Sequence, residues 1–197
     1  AKVAVNCVIN YEEGGENCIL HGDRASEHLL SEIVGAAPYE GARHMNMESL
    51  YDYGSRAGFW RLHRGVTERG APCTVYAVAM ALERNPAAAE AMVSAGWEIA
   101  SHGFRWIDYQ NVPEEEERRH IEAAVEVQRR VTGSRPLGIY QGKPNENTRR
   151  LVVEEGGFLY DSDAYSDDLP YWVHDFGKPH LVVPYTLVNN DMIFVRA

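Results

Sequence analysis

Residues 73–103 read CTVYAVAMALERNPAAAEAMVSAGWEIASHG, and the alternation inside this stretch decides the class of fold. A β-branched run over residues 73–78 gives way to an alanine-rich helical pattern over 86–95, opened by Pro86 and closed by Gly96, before a second apolar run at 98–100. Proline suits the first helical turn because that turn has no use for its missing N–H. Glycine suits the position after the last turn because it adopts the left-handed conformation there at no steric cost. The unit therefore reads strand, helix, strand. Working outward, the same punctuation gives a strand at 3–9, a helix over 48–69, and a helix that starts at Pro113 and ends before Gly133. An apolar step at 137–139, a helix at 147–155 and short runs at 158–160 and 181–183 complete the series, with Gly70, Gly133 and Gly156 at helix ends. Repeated βα units predict an α/β fold with a mostly parallel sheet, open or closed into a barrel, in a single domain over residues 1–197.

Residues 14–47 break the pattern. They read as a loop-rich insertion after the first strand, with one helix expected over 26–34, and such insertions cover or shape sites. Within the helix that follows, Leu50, Tyr53, Ala57 and Trp60 recur at helical spacing and are expected to form a core stripe. The acids and arginines of residues 114–119 are expected on an exposed helix face, paired at i, i+4.

Composition narrows the function classes. Nineteen Lys and Arg against 29 Asp and Glu give a net charge of −10, with no basic stripe, so nucleic-acid and anionic-membrane partners are disfavoured. Cys7, Cys18 and Cys73 are odd in number and never form a C-x-x-C pair, which argues against a disulfide framework or a cysteine zinc site and fits a reducing, cytoplasmic setting. No apolar run approaches the roughly 18 residues of a membrane span, and Gly14-Gly15 and Gly156-Gly157 lack the context of a nucleotide-phosphate loop.

In parallel βα folds the loops after the strands converge on one face, where ligands bind. Those loops carry Glu12 and Glu13, His102, Tyr140, and Asp161 with Asp163. Glu12 and Glu13 are adjacent, so on extended backbone their side chains diverge, and their mutual repulsion would raise one of them towards a useful general base. A solvated acidic turn ahead of the glycine pair reads equally well. His102 suits a ligand, a general acid, an oriented donor or a structural bridge between backbone groups. Helical i, i+4 spacing would set Trp106 beside it, where a second histidine would have completed a metal pair. Arg135, ahead of Tyr140, is expected to orient a carboxylate by a bidentate pair or to cap a turn, and Asp161 is a possible partner. Trp172, in the acidic and aromatic run 167–172, is a pocket-lining candidate for a small polar ring, or a packed residue beside a solvated turn.

Taken together, residues 10–15 (NYEEGG), 20–23 (LHGD), 47–58 (MESLYDYGSRAG), 101–109 (SHGFRWIDY) and 159–163 (LYDSD) with the run through Trp172 resemble the polysaccharide deacetylase-like (NodB-homology) family, in its allantoinase branch of purine breakdown. The resemblance implies a deformed (β/α) barrel, expected to be incomplete at the C-terminus because relatives continue past the point where this chain stops. It also implies an edge-exposing sheet that favours a homo-oligomer. Glu12 matches the family's base, Glu13 its metal-binding acid and His102 its first histidine, while Trp106 replaces the second. With that ligand gone no cofactor is expected, although a loosely held divalent metal such as zinc, on Glu13 and His102, remains open. The implied activity is opening of a cyclic ureide or imide. In that scheme Glu12 activates water, His102 assists the departing nitrogen, Glu13 and Asp161 orient them, and Trp106, Tyr140, Arg135 and Trp172 bind the ring. The rival expectations are a metal-dependent sugar N-deacetylase and a non-catalytic member. Gly138-Ile139-Tyr140-Gln141-Gly142-Lys143 departs from the branch's usual Gly-Trp-Tyr-Thr-Gly-Arg, exchanging a guanidinium for an ammonium.

Overall fold

The computed structural model describes residues 5–33 and 35–195. Seven strands form one sheet: β1 (Cys7–Tyr11), β2 (Cys73–Ala77), β3 (Glu98–Ser101), β4 (Gly138–Ile139), β5 (Tyr160–Asp161), β6 (Tyr171–Val173) and β7 (His180–Val182). Their order is β1-β2-β3-β4-β5-β7-β6, with every pair parallel except β6 against β7. This is the α/β architecture expected. Among the described residues β1 and β6 are the two edges, and no pairing joins them.

The helices are α1 (Met45–Tyr53), α2 (Phe59–Thr67), α3 (Ala79–Arg84), α4 (Pro86–Ser94), α5 (Glu114–Thr132), α6 (Thr148–Glu155) and α7 (Met192–Val195). Asn85 caps α4 by accepting from Ala88 N, and Gly133 and Gly156 close α5 and α6 in the left-handed conformation. Two clusters form the helix-side core. Ile9, Tyr11, Val75 and Ala77 meet Phe59, Leu82 and Met92, while Ile139 meets Ile121, Leu151 and Val152.

Four local expectations fail for identifiable reasons. Of the expected strand at 3–9, residues 3 and 4 lie outside the described residues, and the ladder instead runs on to Tyr11. Residues 26–33 form turns and bends rather than a helix, pinned by an Ala25–Glu40 bridge, and Val34 lies outside the described residues. The expected stripe over 50–60 is interrupted by a π-helical turn, Gly54–Gly58, whose extra residue rotates the apolar face. Leu50 and Tyr53 face solvent, whereas Met47 and Phe59 are buried and Trp60, alone of the three large side chains of the expected stripe, packs against the core cluster. Glu117, expected on the exposed face of α5, points inward and is 0% exposed.

Candidate active site

Strand register builds the site. Tyr11 stands beside Ala77, Ala77 beside Ser101, Ser101 beside Ile139 and Ile139 beside Asp161, so Glu12, His102, Tyr140 and Ser162 follow in a row one residue further on. Successive side chains on a strand point to opposite faces. Tyr11 and Ile139 pack towards the helices, Tyr11 edge-on to Phe59 at 5.3 Å and Ile139 within the α5–α6 core, so the next row turns to the other face.

There Glu12 and His102 meet, with Oε1 3.1 Å from Nε2. The second ring nitrogen, Nδ1, faces the Tyr140 carbonyl oxygen. A carbonyl only accepts, so Nδ1 carries a proton. An ionised carboxylate also only accepts, so the Nε2···Oε1 contact needs a further proton, on the imidazole or on the carboxyl. The pair thus holds a shared proton between an acid and a base. The His102 side chain is 1% exposed and that of Glu12 21%, so Glu12 is the member that faces outward. Gly142, at φ +82°, lets the backbone approach the imidazole closely: a Cβ there would stand 2.9 Å from His102 Cε1.

Tyr140 has two stacked neighbours, His102 at 5.1 Å and 12° and Tyr185 at 4.5 Å and 6°, and its hydroxyl bonds that of Tyr165 at 2.7 Å. Its ring is therefore a wall that orients His102 and has no free face for a substrate ring. Trp106 has Lys143 Nζ 3.4 Å from its ring centroid. The segment from 102 to 106 is a loop rather than a helix, so Trp106 reaches this position through the turn at Gly103. Burial pulls the Lys143 ammonium below its usual range, against the raising effect of Glu27, Glu12 and Asp108. Asp163 accepts from Gln141 N and Gly142 N, both at 2.8 Å; burial pushes its carboxyl up to about 6 although both bonds oppose this.

Glu13 diverges from Glu12, as expected of adjacent residues on extended chain. Its Oε2 accepts from the Glu12 N–H at 3.1 Å, and its carboxylate lies against Gly54 in the π-helical turn, where a Cβ would come within 2.2 Å of Oε1. Burial pushes Glu13 up to about 7, with Glu12 and Glu16 adding to the rise. It lines a cleft of about 450 Å³ shared with Glu16, His21, Tyr51 and Arg84. Arg105 closes the adjoining loop, bonding Asp23 Oδ2 at 2.6 Å and the Gly15 and Glu16 carbonyls at 3.2 and 3.0 Å.

Three candidates lie elsewhere. Asp161 is level with Ile139, so it points to the helix side, where Arg149 Nε and Nη2 reach its two oxygens at 2.8 and 3.0 Å and His180 Nε2 lies 3.1 Å away. Its carboxylate is fully engaged and does not touch the Glu12–His102 pair. Arg135 precedes β4 and so sits at the amino end of the strand, opposite the rim, where its Nη2 alone donates to both Glu155 oxygens at 2.9 and 2.8 Å. Trp172 belongs to the edge strand β6, paired with Leu181 and 59% exposed. Sequence reasoning missed the roles of Lys143, Arg149, His180 and Tyr185, because each acts across the fold. The signal available in the sequence was period-2 alternation along β5, which turns Asp161 to the face opposite that of the next residue, Ser162, in the row of Glu12, His102 and Tyr140.

These residues do not fit a tightly held divalent cation. His102 has both nitrogens engaged, Glu13 turns away from it, Trp106 has no ligating atom, and among the described residues no three His, Cys, Asp or Glu side chains form a metal-holding group.

Residues 45–156 match the family described as polysaccharide deacetylase. A Schizosaccharomyces pombe protein carrying the polysaccharide deacetylase name is 40% identical over 215 residues, covering all of this chain and 67% of its own length. A crystal structure from Pseudomonas aeruginosa PAO1 with the same name shares 59% identity at a TM-score of 0.93, and the crystal structure of Puue allantoinase shares 58% at 0.93. Each covers 96% of this chain, which in turn spans 64% of each of them. A Mycobacterium smegmatis structure, 24% identical with a TM-score of 0.73, covers 97% of this chain and 63% of its own and shares the fold.

Proposed function

The chain belongs to the polysaccharide deacetylase family, and from that premise we propose that it hydrolyses a cyclic amide, opening the hydantoin ring of allantoin to allantoate, without a metal-bound step. The observation that carries the reading is the Glu12–His102 pair, an acid–base unit in a chain that has Trp106, with Lys143 over its ring, where a deacetylase would have its second histidine. The likeness to Puue allantoinase supports the choice of substrate.

In the starting state the shared proton sits on His102 and Glu12 is ionised. Glu12 takes a proton from water as its oxygen bonds the ring carbonyl carbon, and the carbonyl oxygen becomes an oxyanion. Lys143 supplies the nearby positive charge for that oxyanion. As the C–N bond breaks, Glu12 returns the proton to the departing nitrogen. The new carboxylic acid loses its own proton to solvent. His102 stays behind Glu12 throughout, stabilising its charge and its orientation, because its ring is buried and both nitrogens are engaged. The residue expected to protonate the nitrogen directly thus acts through Glu12. Trp106 carries the Lys143 ammonium over its indole, and Glu13 holds the Glu12 backbone rather than the substrate.

The test is a substrate comparison on the purified chain: allantoin, hydantoin and an acetylated chitooligosaccharide, each with and without chelator. Ring opening that persists under chelation supports the proposal. Acetate release that chelator abolishes would transfer the chain to the deacetylase reading carried by the name of its S. pombe relative.

A further inference from the structure

The segment that carries Lys143 is fastened at both ends by carboxylates. At one end Asp163 accepts from Gln141 N and Gly142 N, both at 2.8 Å. At the other, the completely buried Glu117 of α5 accepts through Oε1 from the Thr148 hydroxyl. Thr148 Oγ1 in turn accepts from Asn145 N at 2.9 Å, Asn145 Nδ2 donates to the Tyr109 carbonyl at 3.0 Å, and Tyr109 N donates to the Lys143 carbonyl at 3.2 Å. The chain of bonds runs without a gap from the interior of α5 to the backbone of Lys143.

We infer that Glu117 is a positioning residue: through Thr148, Asn145 and Tyr109 it sets the height of the 141–148 segment, and so the placement of Lys143 over Trp106 and of Gly142 against His102. The role is specific to an acceptor. Thr148 already receives the Asn145 N–H, so its one proton must go outward to a group that can only take it. Leucine would fill the same space and break the chain, whereas glutamine would keep it, since its Oε1 accepts equally well. Glu117 Oε2 has no partner and is buried, so packing alone gives no reason for a carboxyl at this point. The hydrogen bonds of Asn145, Thr148 and Tyr109 go to residues other than Glu12 and His102, which makes the effect indirect.

The catalytic arm of the inference rests on the function proposed above, so its test pairs activity with a readout that needs no substrate. Hydrogen exchange of the Asn145 and Tyr109 amides is measured in Thr148→Val, Thr148→Ser, Glu117→Leu and Glu117→Gln beside the parent. The expected result is roughly tenfold or faster exchange in Thr148→Val and Glu117→Leu, with parent-like protection rescued in Thr148→Ser and Glu117→Gln. In the same set kcat for ring opening should fall about 10- to 100-fold in the two broken variants, with KM changing far less, since small misplacements near reacting groups act at that scale. Should Glu117→Leu fail to fold, the Thr148 pair carries the test alone. Unchanged exchange in Thr148→Val, or exchange that rises equally in Thr148→Ser, overturns the positioning role. A parent without ring-opening activity but with the expected exchange pattern would instead count against the substrate and leave the anchor standing.

Discussion

Replacing Arg149 with methionine isolates what Asp161 does. The change removes guanidinium bonds of 2.8 and 3.0 Å to Asp161 and a third of 3.1 Å to the Asp163 carbonyl, while keeping most of the apolar length of the side chain. Asp161, with 2% of its side chain exposed, retains His180 Nε2 at 3.1 Å and the Asp163 N–H at 3.0 Å. Removing one partner of a buried ion pair costs about 3–5 kcal/mol. The surviving bonds and the 28% exposure of Arg149 reduce this to about 2–3 kcal/mol. In a chain of this size that lowers Tm by roughly 5–10 °C. The pH dependence has a definite sign. Burial works to raise the Asp161 carboxyl, but the bonds from His180 and Arg149 outweigh it and hold it below the usual carboxylate range. A carboxyl depressed in the folded state contributes its stability above its unfolded pKa of about 3.9 and loses it as pH falls through the lower folded value. The gap between parent and Arg149→Met should therefore be full at pH 7 and close as the pH drops below about 4. Thermal melts followed by circular dichroism at both pH values, with Asp161→Asn and the double variant to complete the cycle, measure it. A melting point within about 1 °C of the parent at pH 7, or a gap that stays constant into acid, would refute the reasoning.

Three further outcomes can be checked. Gly138→Ala should cost about 1–3 kcal/mol by urea denaturation. Its new Cβ would meet Tyr160 Cζ at 1.9 Å, and the ring cannot shift without straining its 2.8 Å bond to Glu98. Glu13→Gln should be more stable than the parent at pH 8 and lose that advantage at pH 4. Glu13 is raised to about 7 by burial, so the parent's stability declines as pH climbs from the unfolded value towards 7; urea midpoints across that range show the crossover or its absence. His102→Ala should lower kcat by about 10²–10⁴-fold, because Glu12 loses the partner with which it shares a proton; a fall of less than tenfold would remove His102 from the mechanism.

The βα alternation was legible because helix ends and strand runs leave local marks: Pro86, Gly96, Gly133 and Gly156 stand where the chain turns. The Glu12–His102 pair was legible for the same reason, since each residue directly follows a strand in a parallel sheet. What failed depended on contacts across the fold. Asp161 was placed on the rim, but one residue of alternation turns it to Arg149, and the arginine sits in a helix that carries no local sign of it. Arg135 was read from its nearness in sequence to Tyr140, yet a strand lies between them and separates the two ends of the sheet. Trp172, expected to line a pocket or to pack beside a turn, stands instead on the edge strand Tyr171–Val173, whose partner, His180–Val182, lies beyond an intervening turn. Glu117 was hidden in a run of four glutamates, where only the position of the buried face distinguishes the fourth from its neighbours in role.

The central claim, that Glu12 performs the proton transfers of a metal-independent ring opening, is tested most directly by following conversion of allantoin to allantoate by the parent and by Glu12→Gln in the presence of excess chelator. The account predicts steady turnover by the parent, unchanged by chelator, and a loss of about 10²–10⁴-fold in kcat with Glu12→Gln at a preserved Tm. Turnover that disappears with chelator and returns with added zinc, or a Glu12→Gln variant as active as the parent, would contradict it.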